Sequence, residues 1–162
     1  MLQPDLYVQS IFVLDLAELR SRGIDTLLVD LDNTLLVRNS ETVSEEAKAW
    51  ARHAKEQGFK VCIVSNNWHE RVEGVARELG LDIVAKAIKP VPFAFRKALK
   101  KMGSEPKSSA AIGDQLFTDV LGGKFVGMTT IMVVPLSSSD LPHTVVLRYL
   151  ERLVLAGRQP LH

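Results

Sequence analysis

Asp30 and Asp32 stand two positions apart at the end of a dense apolar run, LLVDLDNTLL at residues 27–36. Burying an unpaired carboxylate costs on the order of several kcal/mol even after relaxation, so the pair needs a reason. Residues two apart in extended chain point the same way. That aims Asp30 and Asp32 to one side and Leu31 to the other. Two further apolar stretches also end in polar clusters. VCIV runs into Ser65-Asn66-Asn67, and SAAI runs into Gly113-Asp114, with Asp119 shortly after. Three close carboxylates repel unless a cation sits among them. Hard oxygen donors of this kind suit Mg²⁺, usually completed by waters and substrate phosphate. Lys89, in Ile88-Lys89-Pro90, offers a fixed positive charge. Ser65 and the N–H groups after it, at a helix start, offer a cradle for phosphate oxygens.

Strand-like and helix-like segments alternate along the chain. Apolar runs at residues 26–29, 61–64, 82–85, 109–112 and 129–134 read as strands. Between them, helical periodicity spans residues 42–58, 68–80 and 92–102, and a C-terminal amphipathic helix spans 144–156. Thr42 or Ser44 can cap the first of these helices, and Gly58 can stop it. The helix beginning at Pro92 has proline near its first turn, where the missing N–H is harmless. Residues 119–125 suggest a short helix weakened by Gly122 and Gly123. Such alternation implies an α/β fold: a doubly wound parallel sheet with helices on both faces. Fully apolar strands support this, because parallel strands are covered on both sides. In such sheets ligands bind beyond the carboxyl ends of the strands, so the three polar clusters should converge. Residues 1–22 are expected as an N-terminal arm or helix against the core, and 140–162 as a C-terminal helix and tail.

The 162 residues fit one domain, which at this length buries roughly two-thirds of its unfolded surface without a staple. Net charge is +1, so no global basic field recruits nucleic acid or anionic membrane. Cys62 is the single cysteine, which excludes a disulfide framework and a cysteine-based zinc site. It reads as a small core hydrophobe. No run of about 18 apolar residues occurs, so no membrane span is expected, and the N-terminus lacks the basic region of a signal peptide. A cytoplasmic location follows.

The four clusters, in order, resemble the haloacid dehalogenase (HAD) superfamily of phosphohydrolases. Asp30-Leu31-Asp32-Asn33-Thr34 is similar to its DxDx[TV] signature, with Thr34 in a supporting place. Ser65 after an apolar strand is similar to the second motif, and Lys89 before Pro90 to the third. Gly113-Asp114-Gln115-Leu116-Phe117-Thr118-Asp119 is similar to the acidic fourth. The resemblance runs from about residue 24 to about residue 134. It implies a Rossmann-like core in which Asp30 attacks phosphorus to give an aspartyl-phosphate. Asp32 would protonate the leaving oxygen and then serve as base for water. Mg²⁺ would be held by the Asp30 side chain, the Asp32 backbone carbonyl and Asp114. Ser65 and the Asn66 N–H would bind phosphoryl oxygens, Lys89 would neutralise charge, and Asp119 would orient Lys89 or a metal-bound water. An acid at Asp32 favours a phosphatase or phosphomutase over a dehalogenase or an ion pump.

Thirty residues separate Thr34 from Ser65, and twenty-three separate Ser65 from Lys89. The predicted elements use most of both, which leaves no room for a cap domain. PDLYVQSIFVLDL before GIDTLLVDLDNTL, and the tail LERLVL, resemble the capless IIIA branch of YqeG type. Some relatives there are phosphatidylglycerophosphate phosphatases, which makes phosphatidylglycerophosphate the favoured substrate by resemblance. The expected ligand is a phosphorylated small molecule or a phospholipid headgroup, not nucleic acid. Peripheral membrane contact and oligomerisation stay open. The alternatives are a soluble sugar-phosphate or nucleotide phosphatase with a lid from oligomerisation, and a non-catalytic phospho-binding domain. The last would be expected to lose Asp30, Asp32 or Asp114, and all three are present.

Overall fold

The computed structural model describes residues 2–67, 70–138 and 142–162. Six parallel strands form one sheet: β1 (Leu6–Val8), β2 (Thr26–Val29), β3 (Lys60–Val64), β4 (Asp82–Val84), β5 (Ser109–Gly113) and β6 (Thr129–Val133). Their spatial order is β1-β6-β5-β2-β3-β4. The helices are α1 (Leu16–Ser21), α2 (Glu45–Glu56), α3 (Glu70–Leu79), α4 (Pro92–Met102), α5 (Leu121–Val126) and α6 (Pro142–Val154).

Alternate residues of each central strand feed opposite cores, as the pleat requires. Leu27, Val29, Val61, Ile63, Ala110 and Ile112 pack with Leu19 of α1, Trp50 of α2 and Val72 of α3. Leu28, Cys62, Val64 and Ala111 pack on the other face with Ala94, Phe95, Ala98 and Leu99 of α4. This is the doubly wound arrangement expected from the sequence, and it explains why the strands read as unbroken apolar runs. Burial pushes the Cys62 thiol up to about 12, so it is an inert core side chain.

The helix over residues 42–58 is observed as α2. Its cap is Ser44 rather than Thr42, and Ser44 Oγ accepts from Ala47 N at 3.1 Å. Two expectations need correction. Residues 5–22 are neither an arm nor a single helix. They supply the edge strand β1, a 3₁₀ turn at Ile11–Val13 and then α1. Asp5 locks this edge. Its carboxylate accepts from Thr130 N at 2.7 Å and Thr130 Oγ1 at 2.8 Å, and its N–H donates to Thr130 O. The second correction concerns residues 119–125, where a wide π-helical turn, Leu116–Val120, runs directly into α5.

The glycines that made α5 look weak are what let it pack. A Cβ at Gly123 would lie 2.8 Å from Ala111 Cβ and 2.9 Å from Thr130 Cγ2. Both atoms sit close to the sheet backbone and have little freedom to retreat. Gly123→Ala is therefore expected to lower stability by about 1–3 kcal/mol through overpacking. In a free helix the same change would gain about 1 kcal/mol. The urea midpoint decides between the two, and a raised midpoint would refute the packing constraint.

Candidate active site

The register of the sheet creates the site. Thr26–Val29 pairs position for position with Lys60 to Ile63 on one side and with Ser109 to Ile112 on the other. The residues that follow these strands therefore meet at one lip. Asp30 N still donates to Ile112 O at 2.9 Å, which continues the ladder by one step and fixes the first carboxylate against β5. The chain then breaks away. Asn33 has φ 63°, a left-handed conformation that Asn tolerates better than most residues. Leu31 is fully buried and anchors the turn in the core. Asn33 Oδ1 accepts from Ser137 Oγ at 2.6 Å and from Arg38 N at 3.2 Å, tying the turn to the segment after β6.

The cleft at this lip has a volume of about 210 Å³. Asp30, Asp32, Ser65, Asn66, Lys89 and Asp119 all line it. Between β2 and β3 the chain carries only this turn and α2, and between β3 and β4 it carries α3. Neither connection holds a cap domain, as the spacing predicted.

Lys89 is the centre of charge. Its side chain is 3% exposed, and Nζ donates to Asp30 Oδ1 and to Asp119 Oδ1, both at 2.6 Å. Burial alone would favour the neutral amine, but the Asp119 and Asp30 charges outweigh it and hold the ammonium above its usual range. Asn66 Oδ1 accepts from Lys89 N at 2.7 Å and sets the backbone that carries this lysine. Ser65 Oγ accepts from Asn67 N at 3.1 Å, closing the turn after β3, and Ser65 also lines the cleft.

Asp30, Asp114 and Asp119 each offer one oxygen, and the three oxygens lie within 4.8 Å of one another. The cost shows in their protonation. Burial pushes Asp30 up to about 8, with the neighbouring Asp119 and Asp114 charges adding to it and Lys89 opposing. Burial pushes Asp114 up to about 6, helped by Asp119 and opposed by Arg148. Asp114 Oδ2 accepts from Arg148 Nη2, and Asp114 O accepts from Arg148 Nη1. Asp114 Oδ1 is buried and has no hydrogen-bond partner among the described residues.

Asp32 lies in the same cleft but outside that acidic cluster. Its Oδ2 accepts from Asn67 Nδ2, and its Oδ1 accepts from both Arg71 Nη atoms at 3.2 Å. Arg71 Nε is spent on Ser40 O at 2.6 Å, which fixes the guanidinium.

The residues named from sequence thus gather, with adjustments. Asp119, expected as a supporting residue, is a full member of the acidic cluster. The Asp32 side chain is not, which leaves only its backbone carbonyl for the metal role. Thr34 is buried and does not line the cleft. Trp68 and His69, which follow Asn67, lie outside the described residues, as does the start of the helix expected at 68. Sequence reasoning placed Asn67 in a converging polar cluster without giving it a role, and it missed Arg71, Arg148 and Glu151. Arg148 and Glu151 stand at i and i+3 on an amphipathic helix that also carries Thr144 and Arg152, so their spacing alone did not mark them.

The residues present suit a divalent cation. Asp30 and Asp119 pair with Lys89, and Asp114 and Glu151 pair with Arg148. With all four acids ionised they exceed these two bases by two charges, and one buried carboxylate oxygen has no protein partner among the described residues. An all-oxygen donor set of this kind favours a hard dication.

Comparison with known proteins agrees with this geometry. Residues 5–127 match the family described as haloacid dehalogenase-like hydrolase. The chain is 40% identical over 154 residues to the probable phosphatase YqeG of Bacillus subtilis, covering 95% of this chain and 90% of that one. It is 24% identical over 162 residues to phosphatidylglycerophosphate phosphatase 1 of Arabidopsis thaliana, covering 94% of this chain but only 46% of that protein. Among solved structures, 3-deoxy-D-manno-octulosonate 8-phosphate phosphatase from Moraxella catarrhalis, in complex with magnesium, phosphate and KDO, superposes with a TM-score of 0.51. That pair shares 20% identity, with 87% of this chain and 92% of the other covered, and the likeness speaks to fold. The chain belongs to the haloacid dehalogenase-like hydrolases and is a phosphatase of that family.

Proposed function

We propose that the chain is a Mg²⁺-dependent phosphomonoester hydrolase that works through an aspartyl-phosphate at Asp30, with phosphatidylglycerophosphate as its favoured substrate. The observation that carries this reading is the placement of Asp30. It sits at the mouth of the cleft with one oxygen held by Lys89 and with Asp32 in the same cleft. Asp30 attacks phosphorus, the bond from phosphorus to the ester oxygen breaks, and Asp32 gives that oxygen its proton. Asp32 then takes a proton from water, the water oxygen attacks phosphorus, and the bond to Asp30 breaks to release phosphate. Ser65 and the Asn66 N–H hold the phosphoryl oxygens, and Lys89 offsets their charge. Asp30, Asp114 and the Asp32 carbonyl, with Asp119 beside them, would hold Mg²⁺. A bound Mg²⁺ supplies charge neutralisation between anionic nucleophile and anionic phosphate.

Two observations favour a lipid phosphate over a soluble one. Among the described residues no cap domain stands over the cleft. Beside it, α6 contributes Thr144 and Leu147 to the lining while exposing Val145, Val146, Tyr149 and Leu153. Such a face suits an acyl-chain surface rather than water. The Arabidopsis relative carries the matching substrate in its name. The contact this reading calls for is peripheral, from the cytoplasm. No helix among the described residues is long and apolar enough to cross a membrane.

Phosphate release from p-nitrophenyl phosphate, sugar phosphates, nucleotides and phosphatidylglycerophosphate in mixed micelles tests the reading. The lipid is expected to give the highest kcat/KM. A soluble sugar phosphate in first place would favour the alternative substrate class. Asp30→Asn is expected to lower kcat by about 10³-fold or more, with an unchanged circular dichroism spectrum. Retained turnover would sink the nucleophile assignment. Chelation should abolish activity, and Mg²⁺ should restore it.

The pH dependence of metal binding has a definite sign. Without metal, Asp30 at about 8 and Asp114 at about 6 are partly protonated near neutrality. A cation needs both ionised, so binding releases protons and tightens as pH rises from about 6 to about 8. Calorimetry near neutral pH, in two buffers of different ionisation enthalpy, should show net proton release. A heat independent of buffer contradicts this.

A further inference from the structure

We propose that Arg148, on α6, is a positioning residue for cation binding: it occupies Asp114 Oδ2 and the Asp114 backbone carbonyl, leaving Oδ1 as the oxygen presented to the metal. The inference rests on the proposed reading of Asp114 as a cation ligand. Nothing in the four motifs assigns it, because Arg148 lies beyond them on the C-terminal helix.

The geometry is that of a built support. Arg148 donates from Nη2 to Asp114 Oδ2 and from Nη1 to Asp114 O. The planar guanidinium therefore grips the side chain and the main chain of one residue, which fixes its rotamer. Arg148 is itself held. Nη1 also donates to Glu151 Oε2 at 3.0 Å, and Glu151 Oε1 accepts from Leu116 N at 2.7 Å. The side chains of Arg148 and Glu151 are 13% and 4% exposed. Two charges buried one turn apart on α6 thus dock that helix onto the loop carrying Asp114. Asp114 Oδ1, buried and without a hydrogen-bond partner among the described residues, is the oxygen this grip leaves over. Groups that orient a metal ligand in this way commonly govern affinity about 10- to 100-fold when removed.

The sign of the effect separates this role from a merely electrostatic one. A guanidinium near a cation site repels the cation. If charge were its whole contribution, Arg148→Gln would tighten metal binding and Arg148→Lys would leave it unchanged. A positioning role predicts that both variants weaken binding, because neither Gln nor Lys provides the fork.

The experiment titrates Mn²⁺ into the full chain without substrate and reads free Mn²⁺ by electron paramagnetic resonance. Folding is checked by circular dichroism. The expected result is a dissociation constant raised about tenfold or more in both variants, with kcat partly recovered at high metal concentration. Unchanged or tighter binding overturns the proposal. If the Gln variant does not fold, the Lys variant, which keeps the charge, decides the matter in its place. Wild-type protein that binds no Mn²⁺ would overturn the proposed function itself. Wild-type binding with unaltered variants overturns only the role of Arg148.

Discussion

The two 2.6 Å contacts from Lys89 Nζ to Asp30 and Asp119 are the interaction on which the site depends. A buried ammonium is costly alone, and so is each carboxylate. Together they tolerate burial, but incompletely. Asp114 and Glu151 add negative charge on the same side, and Arg148 pairs with both. The acids are therefore crowded together, in surroundings that hold Asp30 and Asp114 above the ordinary carboxylate range. A bound cation would relieve their repulsion.

Sheet geometry makes the cluster possible. β2 lies between β3 and β5, so the strand carrying Asp30 has Ser65 on one flank and Asp114 on the other. Parallel pairing brings all three strand ends to the same edge, which an antiparallel arrangement would scatter. The surrounding connections then serve as clamps. Gly113 matters here because a Cβ would fall 2.1 Å from Asp119 Cγ. Only a residue without a side chain lets the loop after β5 fold Asp119 back beside Asp114. Asn33 ties the first loop to the segment after β6. The machinery is held by every layer of the fold.

Much of this was legible in the sequence, and the reasons differ by element. Central strands announced themselves because both faces are buried. The edge strand β1 did not. It has three residues, half-covered except at Val8, and it is recruited by Asp5 rather than by its own pattern. α5 was underrated because glycine reads as a helix breaker, whereas Gly122 and Gly123 are needed where α5 approaches Phe95, Ala111 and Thr130. Motif residues were legible because each follows an apolar run. The residues that hold them were not. Nothing in sequence distinguishes Arg71, engaged with Asp32, from the exposed Arg77 on the same helix. Arg148 and Glu151 look like the wet side of an amphipathic helix until the fold turns them inward.

Two carboxylates so close in sequence end up in opposite surroundings, and that difference suits the division of labour in the proposed reaction. Asp30 sits among other acids with a single lysine on one oxygen. Asp32, two residues on, is held between the Asn67 amide and the Arg71 guanidinium, outside the acidic cluster. A nucleophile must keep an oxygen aimed at phosphorus while a cation screens its charge. A proton carrier must stay near the leaving oxygen without binding that cation. Enzymes separate such roles by environment rather than by residue type. Here the separation comes from the neighbouring elements: Asn67 after β3 and Arg71 on α3 hold Asp32, while Lys89, itself paired with Asp119, holds Asp30.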